Sequence, residues 1–237
     1  MNIALSIATT AISLVFASVV GSQYVSRLRP HQLVWSIALL IFGIGAFCQF
    51  LAEDAGWTPT LYRMWYYTGA MLAAAYLGQG TVYLMAPRRF AHVTLVILIA
   101  LSSAGLSLVA VLPVDLERAV TPNGVTGNGL PTLLLLLLIP LNTYGTVALV
   151  GGGLWSVVRT RRDRASWRRA AGPLLIAVGG LTVALGGTAN RLGVPGLLYL
   201  TEMLGVGLIF GGYLLTMAAT QRASDRQSPV AAIADSQ

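Results

Sequence analysis

The chain has no lysine among its 237 residues, and it carries one cysteine, two histidines and eight acidic side chains. Without a lysine amine there is no imine-forming nucleophile, and no Gly-rich phosphate loop of the Lys-bearing kind. Cys48 stands alone, so an internal disulfide is excluded. Charged residues make up 10% of the chain, against roughly 25% in a soluble domain, so a water-facing surface is excluded as well. His31 and His92 open apolar runs rather than sitting inside them, which denies a buried porphyrin its axial ligands. No His, Cys and carboxylate cluster has metal-ligand spacing. Glu202 is the single acid clearly inside an apolar run, while Glu53 and Asp54 fall in a loop. Intramembrane hydrolysis by paired carboxylates therefore has no candidate pair. No cofactor and no metal are expected, and an enzyme is the weakest of the functional classes.

What the chain does have is apolar length. Hydrophobic residues are 56% of it, and a membrane span needs about 20 in succession. Seven such runs lie at roughly 3–22, 31–52, 60–85, 91–112, 131–158, 170–190 and 196–219. The expected fold is an all-α, polytopic membrane protein of seven transmembrane helices over 1–219, followed by a disordered cytoplasmic tail at 220–237. The net charge of +7 does not mark a nucleic-acid binder, because the arginines gather at helix ends. Arg27, Arg29, Arg88, Arg89, Arg159, Arg161, Arg162, Arg164, Arg168, Arg169, Arg222 and Arg226 all fall on one side if the runs alternate. Arg63, Arg118 and Arg191 fall on the other. The positive-inside bias then predicts a multi-pass cell-membrane protein with its N-terminus outside and its C-terminus in the cytoplasm. The same arginines suit anionic lipid headgroups. No positive segment precedes the first run, so signal-peptide cleavage is not expected. A homo-oligomer is an option that the sequence leaves open.

An internal repeat is legible. Gly21 to Trp35 matches Gly153 to Trp167 at Gly21/Gly153, Val25/Val157, Arg27/Arg159, Arg29/Arg161 and Trp35/Trp167. After a four-residue shift, Gly43 meets Gly179, Pro59 meets Pro195, Leu61 meets Leu197 and Gly69 meets Gly205. Repeat one is then about 1–85, the linker helix 91–112, and repeat two 131–219, a parallel 3+1+3 layout. Transporters often carry repeats with the binding site between them. The layout resembles SWEET and PQ-loop sugar transporters and, in topology, microbial rhodopsins and the seven-span input regions of some bacterial histidine kinases. The SWEET resemblance implies prolines at matching places in both halves. Here Pro140 and Pro173 lack interior partners in the first two runs, so its substrate is not carried over. A retinal Schiff base would need the lysine this chain lacks.

Candidate site residues are the polar groups inside apolar runs, since such groups usually face a cavity or a partner. Glu202 comes first, with Arg63 and Arg191 as possible cations and a Glu202–Arg63 clamp between the halves as the leading structural role. Asn142 follows Pro140, whose missing N–H frees a carbonyl; Asn142, Thr143 and Tyr144 are candidates to repair that turn or to floor a pocket. Tyr62, Tyr66, Gly69, Ala73, Tyr76, Gly80 and Tyr83 step by four and three, which predicts one inward stripe on the third helix, with Tyr66 and Tyr76 deepest. Gln49, Thr188 and Asn190 could complete an outward-facing pocket, while Gln79 belongs elsewhere. Gly172, Gly179 and Gly186, together with Gly207 and Gly211, are expected to seat helix against helix. The loop Pro113–Leu130 carries Asn123-Gly124 and Asn128-Gly129, which predict a small hairpin or lid. The favoured function is binding, with transport as its extension, of an unknown small and partly apolar molecule. It would be lined by Glu202, Asn142, Tyr66, Gln49, Tyr76 and Arg63. The alternative is a sensory or scaffold module acting through the loop Arg159–Arg169.

Overall fold

The computed structural model describes residues 2–162 and 167–234, with side chains placed over 2–160 and 170–219. Arg161 to Arg169, the core of the basic loop, and Arg222 and Arg226 therefore lie outside the described side chains. Helices α1 (Asn2–Arg27) and α2 (Pro30–Ala55) come first. A composite rod follows, built of α3 (Pro59–Trp65), a π-helical segment (Tyr66–Leu72) and α4 (Ala73–Met85). Next come α5 (Arg88–Val111), the one-turn α6 (Leu116–Ala119), β1 (Val120–Thr121) and β2 (Gly124–Val125). The chain ends with α7 (Leu135–Arg162), α8 (Trp167–Arg191) and α9 (Leu198–Ala234). The α9 backbone is thus helical past residue 220, where a disordered tail is expected from composition.

Proline marks several starts. Pro30 and Pro59 occupy first-turn positions of α2 and α3, where a missing N–H costs nothing. Thr58 caps α3 by accepting from the Leu61 amide at 3.2 Å. Gly56, at φ 91°, turns the chain between α2 and α3, a backbone state that glycine adopts freely.

Among the described residues six helices are long and apolar enough to cross a membrane, where seven runs are expected from the sequence. The third run is the exception because the π segment interrupts it. α1, α2, the composite rod, α7, α8 and α9 form a ring in chain order, closed where α9 returns to α1. α5 stands outside, against the composite rod. It buries the smallest share of its apolar stretch, 22% against 61% for α2. The tightest pairing in the first half is α1 with α2, and in the second α8 with α9.

Glycine sets these seams, with one correction. On α8, Gly172, Gly179 and Gly186 abut Gly212, Gly205 and Thr201 of α9. The α9 partners are Gly205 and Gly212 rather than the expected Gly207 and Gly211, which have open space around them. Gly205 and Gly212 are seven residues apart, like their partners on α8, so Gly207, two positions past the first, and Gly211, one position before the second, point elsewhere. Elsewhere Gly45 meets Gly69, and Gly78 meets Gly145. These contacts let backbones approach where lipid supplies no hydrophobic drive.

The π segment also breaks the expected tyrosine stripe. Its extra residue per turn rotates everything after it. Tyr62 and Tyr66 point into the bundle, but Tyr76 pairs with Ser102 of α5 at 3.3 Å. Tyr67 donates to the Ser102 carbonyl at 3.0 Å. Gln79 is buried between α5 and α7. It donates to Ala91 O at 2.8 Å and accepts from Tyr144 Oη at 2.5 Å.

Gly179→Ala should destabilise the chain, since a Cβ there would stand 2.6 Å from Gly205 O; overpacking of this kind costs about 1–3 kcal/mol. Gly207→Ala, with open space, should change stability by less than about 0.5 kcal/mol. Thermal unfolding in detergent measures both, and equal midpoints would disprove the seam.

Candidate functional site

A cavity of about 600 Å³ lies inside the ring, between the composite rod and helices α7, α8 and α9. Its size falls in the range of small-molecule sites. The walls are made of small residues: Gly69, Ala70, Ala73 and Ala74 on the rod, and Gly180, Ala184 and Gly187 on α8. Where backbones do not meet, such residues leave volume. The polar groups in the lining include Asn142, Thr188, Asn190, Arg191 and Glu202.

Toward the arginine-bearing ends of the helices the cavity is floored. Phe42, Leu77, Leu149, Val206 and Ile209 line it there and belong to one buried apolar cluster. Behind them Phe16 stacks on Phe210 at 4.7 Å, and Tyr213 packs on both Phe16 and Trp35. Tyr213 donates to Gln23 Oε1 at 2.6 Å, and Gln32 reaches the same oxygen at 3.2 Å.

At the opposite end the long loop folds over the ring. β1 and β2 pair antiparallel around Pro122 and Asn123, the hairpin signalled by Asn123-Gly124. Val125, Thr126 and Leu130 are buried. Two side chains hold this lid, one from each half. Tyr62 Oη donates to Thr126 O at 2.8 Å and accepts from the Gly129 amide at 2.9 Å. Asn190 Nδ2 donates to Val125 O at 2.6 Å, and its Oδ1 accepts from the Gly127 amide at 3.0 Å. Gly127 thereby reaches the cavity roof, where the Arg191 guanidinium lies against it. Arg191 also donates to Tyr66 Oη at 3.1 Å and sits 5.7 Å from the centre of that ring, a cation–π arrangement.

The residues singled out from the sequence separate into three groups. Glu202 and Asn142 line the cavity, and Thr188 and Asn190 join them. Gln49 and Tyr66 stand just behind it: Gln49 lies against the Glu202 carboxyl, and Tyr66 backs Arg191. Tyr76 and Arg63 are elsewhere. Arg63 donates to Val109 O and Leu112 O, both at 2.9 Å, and so caps the carbonyl end of α5. The expected Glu202–Arg63 clamp is therefore not formed. Among the described residues the one ion pair is Arg118–Asp115 at 3.2 Å.

Asn142 does something other than repair the Pro140 turn. Its Nδ2 donates to Leu138 O at 3.1 Å and, across to the composite rod, to Ala70 O at 2.8 Å. Ala70 belongs to the π segment, so Asn142 ties the irregular turn of one half to a helix of the other. Glu202 Oε2 and both amide atoms of Gln49 are buried and, beyond each other, have no hydrogen-bond partner. Sequence reasoning missed Arg191 as a lining cation, Trp65 and Gly127 as lining residues, and the Tyr62 and Asn190 clamps. The Asn-Arg pair ending the sixth run was the available signal.

No family model, no curated protein and no solved structure matches this chain.

Tyr62→Phe should free the lid at one clamp. Leaving the Thr126 carbonyl and the Gly129 amide unpaired costs about 1–3 kcal/mol, so exchange of the Gly129 amide should speed up by roughly tenfold or more. Asn190→Ala should do the same at Gly127. Hydrogen-exchange mass spectrometry over 113–130 reads both, and unchanged protection would mean the loop is held by other contacts.

Proposed function

We propose that this chain is a seven-span integral membrane protein of the cell membrane that binds a small, partly apolar molecule between two three-helix units. Six long apolar helices support the membrane assignment. The composite rod is the seventh crossing. It stands in the ring between α2 and α7, and its π turn keeps backbone groups bonded within the helix, as hydrocarbon requires. The arginine-rich ends face the cytoplasm, which leaves the lid outside. The 3+1+3 division fits the ring, because α5 alone is excluded from it. The Gly45–Gly69 and Gly179–Gly205 contacts occupy comparable helix pairs in the two halves.

The observation that carries the binding reading is the cavity, apolar over most of its wall, with Glu202, Asn142 and Arg191 as its polar points. Binding sites combine an apolar wall with a few placed polar groups in this way. Transport would be an extension of binding. With a floor of aromatic and aliphatic side chains and a clamped lid, the conformation seen is a closed-ended site rather than a channel.

Two experiments test this. In a Cys48→Ala background, an impermeant maleimide should label Ala55→Cys in intact cells and Arg89→Cys only after permeabilisation; labelling of both from one side would remove the seventh crossing. Native mass spectrometry of chain released from membranes should show a non-covalent adduct on the wild type. Glu202→Gln and Asn142→Ala should each weaken it by about tenfold or more, the scale of a lost buried hydrogen bond to a charged group. An adduct retained equally by both variants would sink this site.

A further inference from the structure

The cavity is closed at both ends but open on one flank. Of its lining residues, the exposed ones are Ile139, Thr143 and Val147 on α7, Thr188 on α8, and Leu192 just after it. α7 and α8 touch toward the arginine-bearing end, where Gly153 meets Pro173 and Ala177, and Gly180 meets Leu149. Nearer the lid they part. Gly186 abuts Thr201, yet its neighbour Gly187 faces the cavity with no atom within 4 Å of where a Cβ would stand. Gly187 is four residues before the end of α8, and Glu202 is four residues after the start of α9. Each lies about 6 Å from its helix end at the usual rise, so the gap and the carboxylate share one level.

The groups inside specify an occupant. Glu202 is 8% exposed and Gln49 1%; beyond each other, Glu202 Oε2 and the Gln49 amide atoms have no hydrogen-bond partner. A buried carboxylate without a cation is costly, and Arg63 and Arg191 are engaged with the α5 carbonyls and with Tyr66. A primary ammonium brings one positive charge and three donors. The rim of the gap is apolar at Ile139, Val147 and Leu192, which suits an alkyl chain arriving from hydrocarbon. The volume of about 600 Å³ holds one such chain with its head.

We infer that the cavity takes a single-chain amphiphile with a primary amine head, admitted sideways from the lid-side leaflet between α7 and α8. The inference rests on the cavity being a binding site. The amine reaches Glu202, and the alkyl chain lies along the Gly and Ala walls toward the gap.

The test uses the full chain in lipid nanodiscs and a bromine-terminated undecylamine, which quenches Trp65 in the cavity wall. Trp65→Phe supplies the background from the other tryptophans. The wild type should show saturable quenching by the amine, with the matching alcohol and carboxylic acid at least about tenfold weaker. Glu202→Gln should weaken the amine by more than about thirtyfold, the scale of breaking a buried charge pair. Gly187→Leu should slow association by about tenfold or more without lowering the thermal midpoint. Gly151→Leu, equally unobstructed but outside the cavity, should leave the rate unchanged. Absence of saturable quenching by any of the three probes would sink the binding reading itself. Saturable binding with Gly187→Leu at the wild-type rate would overturn the sideways route alone. Alcohol or acid binding as tightly as the amine would overturn the amine assignment.

Discussion

Hydrocarbon offers a polar group nothing to bond with, and that constraint accounts for most of what this chain does with its few polar side chains. Serines and threonines inside helices return their hydroxyls to carbonyls one turn back, as Thr9, Ser13 and Ser102 do. Polar side chains that cross between helices find a carbonyl as well. Trp35 donates to Leu77 O, Gln79 to Ala91 O and Asn142 to Ala70 O. Against this thorough pairing, the unpartnered atoms stand out. Ser6 Oγ and Gln32 Oε1 belong to residues outside the cavity lining, whereas Glu202 lines it with Gln49 against its carboxyl. A fold so strict elsewhere is lenient where a ligand would complete it.

Small residues act in two opposite ways within the same bundle. Along α8 and α9 they face each other, and the backbones close to contact. On the inward faces of the composite rod and of the lid-side part of α8, small side chains line the cavity and leave its volume open. Gly186 and Gly187 are adjacent in sequence and sit on either side of this distinction. The halves differ for the same reason. The first half joins its first two helices most tightly and the second its last two, so the surfaces that meet across the ring are not copies of one another.

The apolar runs, the arginine-bearing ends and the Asn123-Gly124 turn were all legible from sequence, because each is a local signal. Glu202, Asn142, Thr188 and Asn190 were legible too, since a polar residue in an apolar run is conspicuous. The rest depended on rotation about helix axes. One or two positions separate the Gly205 and Gly212 seam from the expected Gly207 and Gly211. The π turn moves Tyr76 off the face that Tyr66 occupies, and no residue pattern announces it. A clamp from Arg63 to Glu202 is the sequence expectation, but Arg63 bonds the bare carbonyls ending α5 instead. Gly127 and Arg191 become wall residues only when a loop and a helix end, far apart in the chain, meet.

The lid has a timing problem built into its chain order. Its Tyr62 anchor is made before it, but its Asn190 anchor is made after it, separated by the whole of α7 and most of α8. The loop therefore takes one clasp from a residue that precedes it and another that cannot form until the end of α8 stands beside it. A complete roof thus requires contacts from stretches of chain about 130 residues apart, on either side of the loop it closes.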